Sequence, residues 1–355
     1  MTDPRSLALD HAQSERVFAG SGRGEVRRVE IHLGTLCNNL CPFCMSGFSR
    51  DKKDPWASFE RVQRELRHFR EKGCRGVGFL GGEPTVYPRI VDAVAYAKSL
   101  GYTMISVCTN GTRLSNPEFC RALVEAGLTR VTLSVHSHIP EVEDLIITRV
   151  PGNLSRKIAA LKNLAALREK GALAGGISVN PVLCRPNLGG MEGFIRFFDG
   201  LGADDVRFNY IWPEGGTRDD RAWIPSFREA MPEILRILLL NEKRLKKHLT
   251  FGAVPRCALA LTGVSDELLE YLSAKYLDES RFDTGNDVSL ATHESDDSRF
   301  VWQENKRDVL KTKFPDCAGC AHEAGCEGAW KSYVRIYGID EFRPLKAAPS
   351  EGKKP

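Results

Sequence analysis

The sequence predicts an α/β protein of parallel strands and outer helices, followed by a smaller cysteine-rich α+β segment. Three observations predict it. Between residues 26 and 211, short apolar-alternating runs take turns with longer runs at helical spacing. That is the pattern of successive βα units, six in number, with parallel strands. Three cysteines, Cys37, Cys41 and Cys44, stand directly after the first of these runs, where parallel α/β barrels carry their chemistry. Composition changes near Pro213–Pro225, and beyond it lie Cys257, Cys317, Cys320 and Cys326 in a segment of a different kind.

Residues 1–25 are polar and read as an arm or short helix, too few for a folded recognition domain. Val26–Leu33, with Val29, Ile31 and Leu33 alternating, is the first strand. A helix follows from about Ser58, carrying Phe59, Val62, Leu66 and Phe69 at helical spacing and stopped by Gly73. Strands Val77–Leu80, Thr103–Cys108 and Arg130–Val135 are separated by helices near Ile90–Leu100 and Pro117–Ala126. The next helix, Leu154–Lys170, shows Leu154, Ile158, Leu161, Leu164 and Leu167 and is closed by Gly171. Strands near Ile177–Leu183 and Asp205–Ile211, with a helix near Met191–Asp199 between them, complete a unit over 26–216. An amphipathic helix from Phe227 to about Lys246 fills a linking stretch, 217–250. The cysteine-rich module spans 251–345; its polar insert Asp278–Arg299 reads as a mobile loop or lid, and 346–355 reads as a flexible tail.

At 355 residues the chain is long enough for one large core or a barrel plus a small module. Its hydrophobic and charged fractions, 42% and 27%, are those of a globular protein. A net charge of +4 without a concentrated basic arm is no nucleic-acid footprint. The longest apolar stretch, Ile234 to Leu240, is interrupted by Arg236 and too short to span a bilayer. The N-terminus lacks the apolar core of a signal peptide. Eleven cysteines without a secretion signal point to reduced thiols and metal ligation, hence to the cytoplasm.

Cys37, Cys41 and Cys44 form C-x3-C-x2-C. Clustered thiolates select zinc or iron–sulfur clusters. A structural zinc site normally has four ligands; a cube held by three thiolates leaves one iron open. The blander readings are a zinc knuckle completed from afar, or buried cysteines acting as small hydrophobes. With Phe43 as its aromatic, the C-x3-C-x-aromatic-C motif resembles the signature of the radical S-adenosylmethionine (radical SAM) superfamily. The resemblance implies a partial (β/α)6 TIM-type barrel open on one side. It further implies that the three cysteines hold a [4Fe–4S] cluster whose open iron chelates SAM. An electron from that cluster cleaves SAM to a 5′-deoxyadenosyl radical, which abstracts a substrate hydrogen.

Gly81-Gly82-Glu83-Pro84 follows the second strand. Two glycines let a backbone approach a ligand closely, and the tetrapeptide resembles the superfamily's element for the SAM amino group, with Glu83 nearby to orient the ammonium. Asn110, after the third strand, and Ser134, at the end of the fourth, match positions that radical SAM barrels place near the SAM ribose and carboxylate; Asn110-Gly111 also reads as a plain turn. His136 and His138 are either proton-transfer groups or loop histidines with ordinary hydrogen bonds. Cys184 is either a hydrogen-atom donor to a substrate radical or an inert barrel-end thiol. Trp212-Pro213-Glu214-Gly215-Gly216 reads as a substrate wall or as packing. Cys74, Cys108 and Cys120 read as structural.

Cys257 and the C-x2-C-x5-C set Cys317, Cys320 and Cys326 suit zinc or a second [4Fe–4S] cluster equally well. The set resembles the auxiliary-cluster modules of the SPASM and Twitch subfamilies. Trp330 stands where the SPASM pattern has a further cysteine, so the likeness is to the one-cluster Twitch form. These resemblances imply a flavodoxin or ferredoxin electron donor and an oxidative modification of a ribosomally made peptide (a cross-link, cyclisation, thioether or epimer), with a separate leader-peptide-binding partner. The alternatives are a small-molecule substrate, an amino sugar or nucleotide, and, in a different class, a non-catalytic zinc or iron–sulfur scaffold. Neither nucleic acid nor membrane is expected as a partner.

Overall fold

The structure, a computed structural model, describes residues 27–44, 56–277, 286–292 and 298–345. The predicted arm 1–25 and the tail 346–355 lie outside them, as does most of the polar insert.

The predicted alternation appears as strands β1 (Arg28–His32), β2 (Gly76–Leu80), β3 (Met104–Thr109) and β4 (Arg130–Leu133). Each is followed by a helix: α1 (Phe59–Glu71), α2 (Ile90–Ser99), α3 (Pro117–Glu125) and α4 (Asn153–Glu169). The strands pair in parallel in sequence order. Their alternation sorts two faces. Val29, Ile31, Val77, Phe79, Ile105, Val107, Val131 and Leu133 are buried in the core with Val62, Leu66 and Phe69 of α1. Arg28, Glu30, His32, Ser106, Cys108, Arg130 and Thr132 occupy the alternate, less buried positions. The opposite face of the sheet is therefore polar, a room for chemistry rather than a second core. Caps mark the helix starts: Ser58 Oγ accepts the Arg61 N–H (3.2 Å), and Asn116 Oδ1 accepts those of Glu118 and Phe119 (2.9 Å each).

The fifth predicted strand, Ile177–Leu183, is two short strands, β5 (Ile177–Val179) and β6 (Val182–Leu183). Pro181 has no N–H for a ladder, and past it the chain pairs with β7 (Asp205–Tyr210) rather than continuing beside β4. Helix α5 (Met191–Gly200) connects them, and α6 (Phe227–Leu240) follows β7, opened by a reciprocal cap between Ser226 and Glu229.

Three further strands of this sheet lie where none was predicted. β8 (Leu249–Gly252), just past the linking helix, runs parallel beside β7. β9 (Asn286–Leu290), inside the stretch read as a polar loop or lid, runs parallel beside β1, with β10 (Arg299–Val301) antiparallel outside it. Eight positions thus carry parallel strands in the order β9-β1-β2-β3-β4-β5-β7-β8. The polar composition of β9 hid a buried strand because its polar residues meet tertiary partners. Ser289 Oγ donates to Glu65 (2.9 Å), Asp287 accepts from Arg27 (2.8 Å), and Glu65 also takes a two-point hydrogen bond from Arg299 (2.8 Å each).

The C-terminal module comprises α7 (Asp266–Tyr276), the two-stranded β11 (Lys311–Thr312) and β12 (Ala329–Trp330), and α8 (Lys331–Tyr337). It docks on the barrel through rings: Tyr333 against Phe227 (4.5 Å between centroids) and Trp330 stacked on Trp212 (4.5 Å). Tyr333 also accepts the Phe227 N–H (2.6 Å). Among the described residues no helix is long and apolar enough to cross a membrane.

Candidate active site

Cys37, Cys41 and Cys44 lie on the loop that leaves β1, all partly exposed. The loop is short of internal hydrogen bonds: Cys44 N–H reaches Cys41 O (3.1 Å), and Asn39 N–H reaches Cys37 Sγ (3.3 Å). Its conformation comes from neighbours. Leu40 N–H donates to Thr148 O (2.9 Å), Asn153 Nδ2 to Asn39 Oδ1 (3.2 Å), Asn110 Nδ2 to Asn38 Oδ1 (2.6 Å), and Asn38 Nδ2 to Thr112 Oγ1 (2.7 Å). Burial pushes the Cys37 thiol up to about 11 and that of Cys41 up to about 12. A metal binding there must therefore displace protons.

The two glycines after β2 are explained by this loop. Gly81 and Gly82 sit at φ +88° and +57°, and a Cβ on Gly82 would lie 2.3 Å from Leu36 O. They bring the end of β2 against the cysteine loop, and Glu83 N–H donates to Leu36 O (2.8 Å). Gly215, after β7, closes the other side: its Cβ would meet Cys44 O at 2.5 Å. Pro84 opens a buried 3₁₀ turn, Pro84–Val86, capped by Glu83.

Several residues expected to face ligand turn out to be engaged elsewhere. The Glu83 carboxylate is 2% exposed. One oxygen accepts from Thr85 N–H (3.0 Å), Thr85 Oγ (2.6 Å) and the Thr109 hydroxyl, the other from Asn110 N–H (2.6 Å). Glu83 thus ties β2 to β3, with one lone pair left of about four. Asn110 is spent too. Its amide donates to Asn38 and, at 3.8 Å, to Cys37 Sγ, and its carbonyl accepts from Thr112 N–H (3.0 Å) and Oγ1 (2.8 Å). It holds the cysteine loop where a contact to the SAM ribose was expected. Ser134 keeps its hydroxyl near Cys108 Sγ (3.8 Å) and is partly exposed.

His136 is held in place by its neighbours. It is buried, its Nδ1 accepts the Val182 N–H (3.1 Å), and burial lowers its pKa to about 4. Phe43 packs edge-on against it (5.1 Å) and faces Trp223 (6.2 Å), which is the packing role of the motif aromatic. Cys184 is fully buried just past the end of β6, and burial pushes its thiol far up, which keeps the S–H bond intact. Beneath these residues lies a buried ion pair that the sequence reading missed. Lys157 Nζ bonds Glu143 Oε1 (2.6 Å) and Ser134 O (2.7 Å), while Glu143 Oε2 accepts the His136 and Ser137 N–H groups (2.8 Å each). A lysine among the apolar positions Leu154, Leu161 and Leu164 of α4 was the available signal.

The second cysteine set converges. Cys257, on the helical turn Arg256–Leu259, and Cys317, Cys320 and Cys326 line one cavity of about 310 Å³ with Phe314, Phe342 and Ile339 among its walls. Each sulfur accepts a backbone N–H: Cys317 from Phe314 (3.4 Å), Cys320 from Leu345 (3.4 Å), Cys326 from Gly328 (3.3 Å) and Cys257 from Arg343. Burial, with the other three thiols adding to it, pushes Cys257 up to about 12. Among the described residues no group of three or more His, Cys, Asp or Glu is arranged to hold a single metal ion.

Comparison with known proteins agrees with this geometry. Residues 31–182 match the family model described as the radical SAM superfamily. A probable GTP 3′,8-cyclase of Sulfolobus acidocaldarius is 28% identical over 192 residues, 54% of this chain and 58% of that one. The mycofactocin maturase MftC of Mycobacterium ulcerans is 32% identical over 188 residues, 53% of this chain and 48% of that one. The chain thus spans about half the length of these curated relatives. In fold, Streptococcus suis SuiB bound to its precursor peptide SuiA superposes with a TM-score of 0.60 at 13% identity, over 98% of this chain and 81% of that one. The three-cysteine loop on an α/β partial barrel, the family match over the same strands and the shared fold agree: residues 31–182 are similar to the radical SAM superfamily, and the fold is that of its solved members.

Proposed function

We propose that this protein is a radical SAM enzyme that oxidatively modifies a ribosomally made peptide with the help of a second, auxiliary [4Fe–4S] cluster. In this reading Cys37, Cys41 and Cys44 hold the SAM-binding cluster, and Cys257, Cys317, Cys320 and Cys326 hold the auxiliary one. Bound cluster and SAM supply a 5′-deoxyadenosyl radical for hydrogen abstraction, and a second cluster supplies an electron acceptor. The residues around them do the positioning. Gly81 and Gly82 keep the end of β2 free of side chains beside the cysteine loop, and Ser134 offers a hydroxyl at the end of β4. Glu83, Asn110 and the Lys157–Glu143 pair fix the loops, which keeps the reacting geometry rigid.

The observation that carries the reading is the four-sulfur cavity. Zinc needs four ligands drawn to about 2.3 Å from one point. Four cysteines that line one cavity of about 310 Å³ suit such an ion or a [4Fe–4S] cube, and the iron and sulfide count separates the two. All four thiols are accounted for, so no cluster position is left for substrate, and the cluster's part is electron transfer. A backbone N–H at each sulfur is the kind of hydrogen bonding that sets cluster potential. The peptide substrate is supported by the likeness of fold to SuiB, whose structure holds a precursor peptide, and by the partial match to MftC.

A small-molecule substrate is the second reading, favoured by the GTP 3′,8-cyclases among the relatives. Iron and sulfide per chain after anaerobic reconstitution test the cluster assignment. About eight irons, falling to about four in the Cys37/Cys41/Cys44→Ala variant, is the expected result. About four falling to none overturns the auxiliary cluster.

A further inference from the structure

Five large apolar side chains are conspicuously exposed among the described residues, and three of them, Ile139 (40%), Leu145 (61%) and Ile146 (42%), fall in one short stretch between β4 and α4. We propose that this stretch is the docking surface for an acidic electron-carrier protein of flavodoxin type, resting on the reading of Cys37, Cys41 and Cys44 as the cluster site.

The stretch is built, not frayed. Its inner side is buried through Glu143, Asp144, Ile147 and Thr148. Glu143 is paired with Lys157, Asp144 Oδ1 accepts the Leu154 N–H (2.7 Å), Asp144 O accepts the Val150 N–H (2.8 Å), and Thr148 Oγ1 donates to Glu143 O (2.9 Å). Apolar side chains held outward by a rigid backing mark a contact surface rather than a folding accident.

Its place in the molecule says what kind of partner. Thr148 O accepts the Leu40 N–H, and Asn153, the first residue of α4, bonds Asn39. The patch is therefore joined directly to the chain that runs between Cys37 and Cys41. A cluster there needs one electron from outside, and electron transfer weakens steeply with distance, so a donor must come to this side of the loop. The exposed charges are fitting. Arg149 and Arg156 follow the patch in the chain and are exposed, and Arg113 is exposed beside the Thr112 that holds Asn38. From His138 to Arg156 the one exposed acid is Glu141. Arg149 is moreover held at φ +55°, a conformation that persists in a non-glycine residue only where the surrounding structure imposes it. An apolar centre flanked by guanidinium groups complements a partner whose redox group shows an apolar edge within a ring of carboxylates. A flavin presented by its dimethylbenzene edge in an acidic protein is such a group. Charge of this kind sets the encounter rate and makes it salt-sensitive.

The test compares two reductants on the reconstituted holoenzyme, with 5′-deoxyadenosine formation as the readout. Dithionite needs no docking; flavodoxin kept reduced by NADPH and its reductase does. The variants are Arg149→Glu with Arg156→Glu, and Leu145→Ser with Ile146→Ser. The flavodoxin-driven rate is expected to fall by about tenfold or more in the charge variant at low salt. It should also fall with added salt in the wild type, while the dithionite-driven rate stays at the wild-type level in both variants. Unchanged flavodoxin-driven rates overturn the proposal, and so does an equal loss with both reductants, which places the effect on the active site itself. Turnover with reduced ferredoxin that responds to these substitutions, when flavodoxin supports none, overturns the flavodoxin assignment. Wild-type enzyme that forms no 5′-deoxyadenosine even with dithionite sinks the radical reading underneath, a result separable from all of these.

Discussion

The two cysteine sets are close to opposites in how they are held. Cys37, Cys41 and Cys44 lie within eight residues, yet nearly everything that shapes their loop comes from elsewhere: Thr112, Thr148 and Asn153 by hydrogen bonds, Asn110 from the end of β3, Gly82 and Gly215 by close approach. Cys257 and Cys326 are far apart in the chain, but two of the four C-terminal sulfurs are served by N–H groups two or three residues away, and the other two by Arg343 and Leu345, distant in sequence but within the same C-terminal segment. In the proposed reading, a loop that must present three thiols and leave one side open cannot also wrap its own ligands, so the barrel holds it. A site closed by four thiols, as proposed for the second set, can be shaped by its own turns. The first set is compact in sequence and dependent on tertiary structure; the second is dispersed and largely self-supporting.

The largest way to break this comparison is to exchange the losses. Cys41→Ala is expected to abolish 5′-deoxyadenosine formation, whereas Cys257→Ala is expected to leave SAM cleavage within about tenfold of wild type and to stop product formation, as an electron acceptor on a rigid, separate module would. Parallel chromatographic assay of 5′-deoxyadenosine and of product checks both, and loss of SAM cleavage in Cys257→Ala would sink the separation of roles. Next comes the support of the first loop. Lys157→Met leaves Glu143 buried without its cation and should cost about 3–5 kcal/mol, read by chemical denaturation.

Acid should find the barrel site through a buried histidine. His136 is held neutral with its pKa lowered to about 4 by burial, while the unfolded chain takes up its proton near the ordinary value of about 6.5. Between those values the unfolded state binds more protons, so stability is fully present above about 6.5 and is lost as pH falls toward 4, by about 3 kcal/mol at most. Replacing His136 by Asn should flatten that part of the stability-against-pH curve; an unchanged curve refutes the assignment. The smallest effect sharpens the contrast in backbone demand. Gly325→Ala, beside Cys326 with nothing within 4 Å of the new Cβ, should shift stability by no more than about 0.5 kcal/mol. Gly82→Ala, strained at φ +57° and blocked by Leu36 O, should cost more than about 1 kcal/mol and disturb cluster binding, seen as iron lost per chain.

The sequence alone determined the residues that can ligate metal and the order of the first strands and helices. Thiol spacing and hydrophobic period are local properties, and Cys37–Cys44, Gly81–Gly82 and the α1 stripe of Val62, Leu66 and Phe69 are each readable in one stretch. Tertiary structure decided which polar residues remain free for a ligand. Glu83, Asn110 and His136 all had suitable chemistry, but partners distant in the chain engage their lone pairs and protons, and no periodicity reports that. It also decided that a polar segment, Asn286–Leu290, becomes a sheet strand, because Glu65, Arg27 and Arg299 offset the burial of Ser289 and Asp287. And it decided that Cys257 joins Cys317, Cys320 and Cys326 around one cavity. A ligand set closed across a long chain separation is a matter of packing, and packing is settled only when the whole chain has folded.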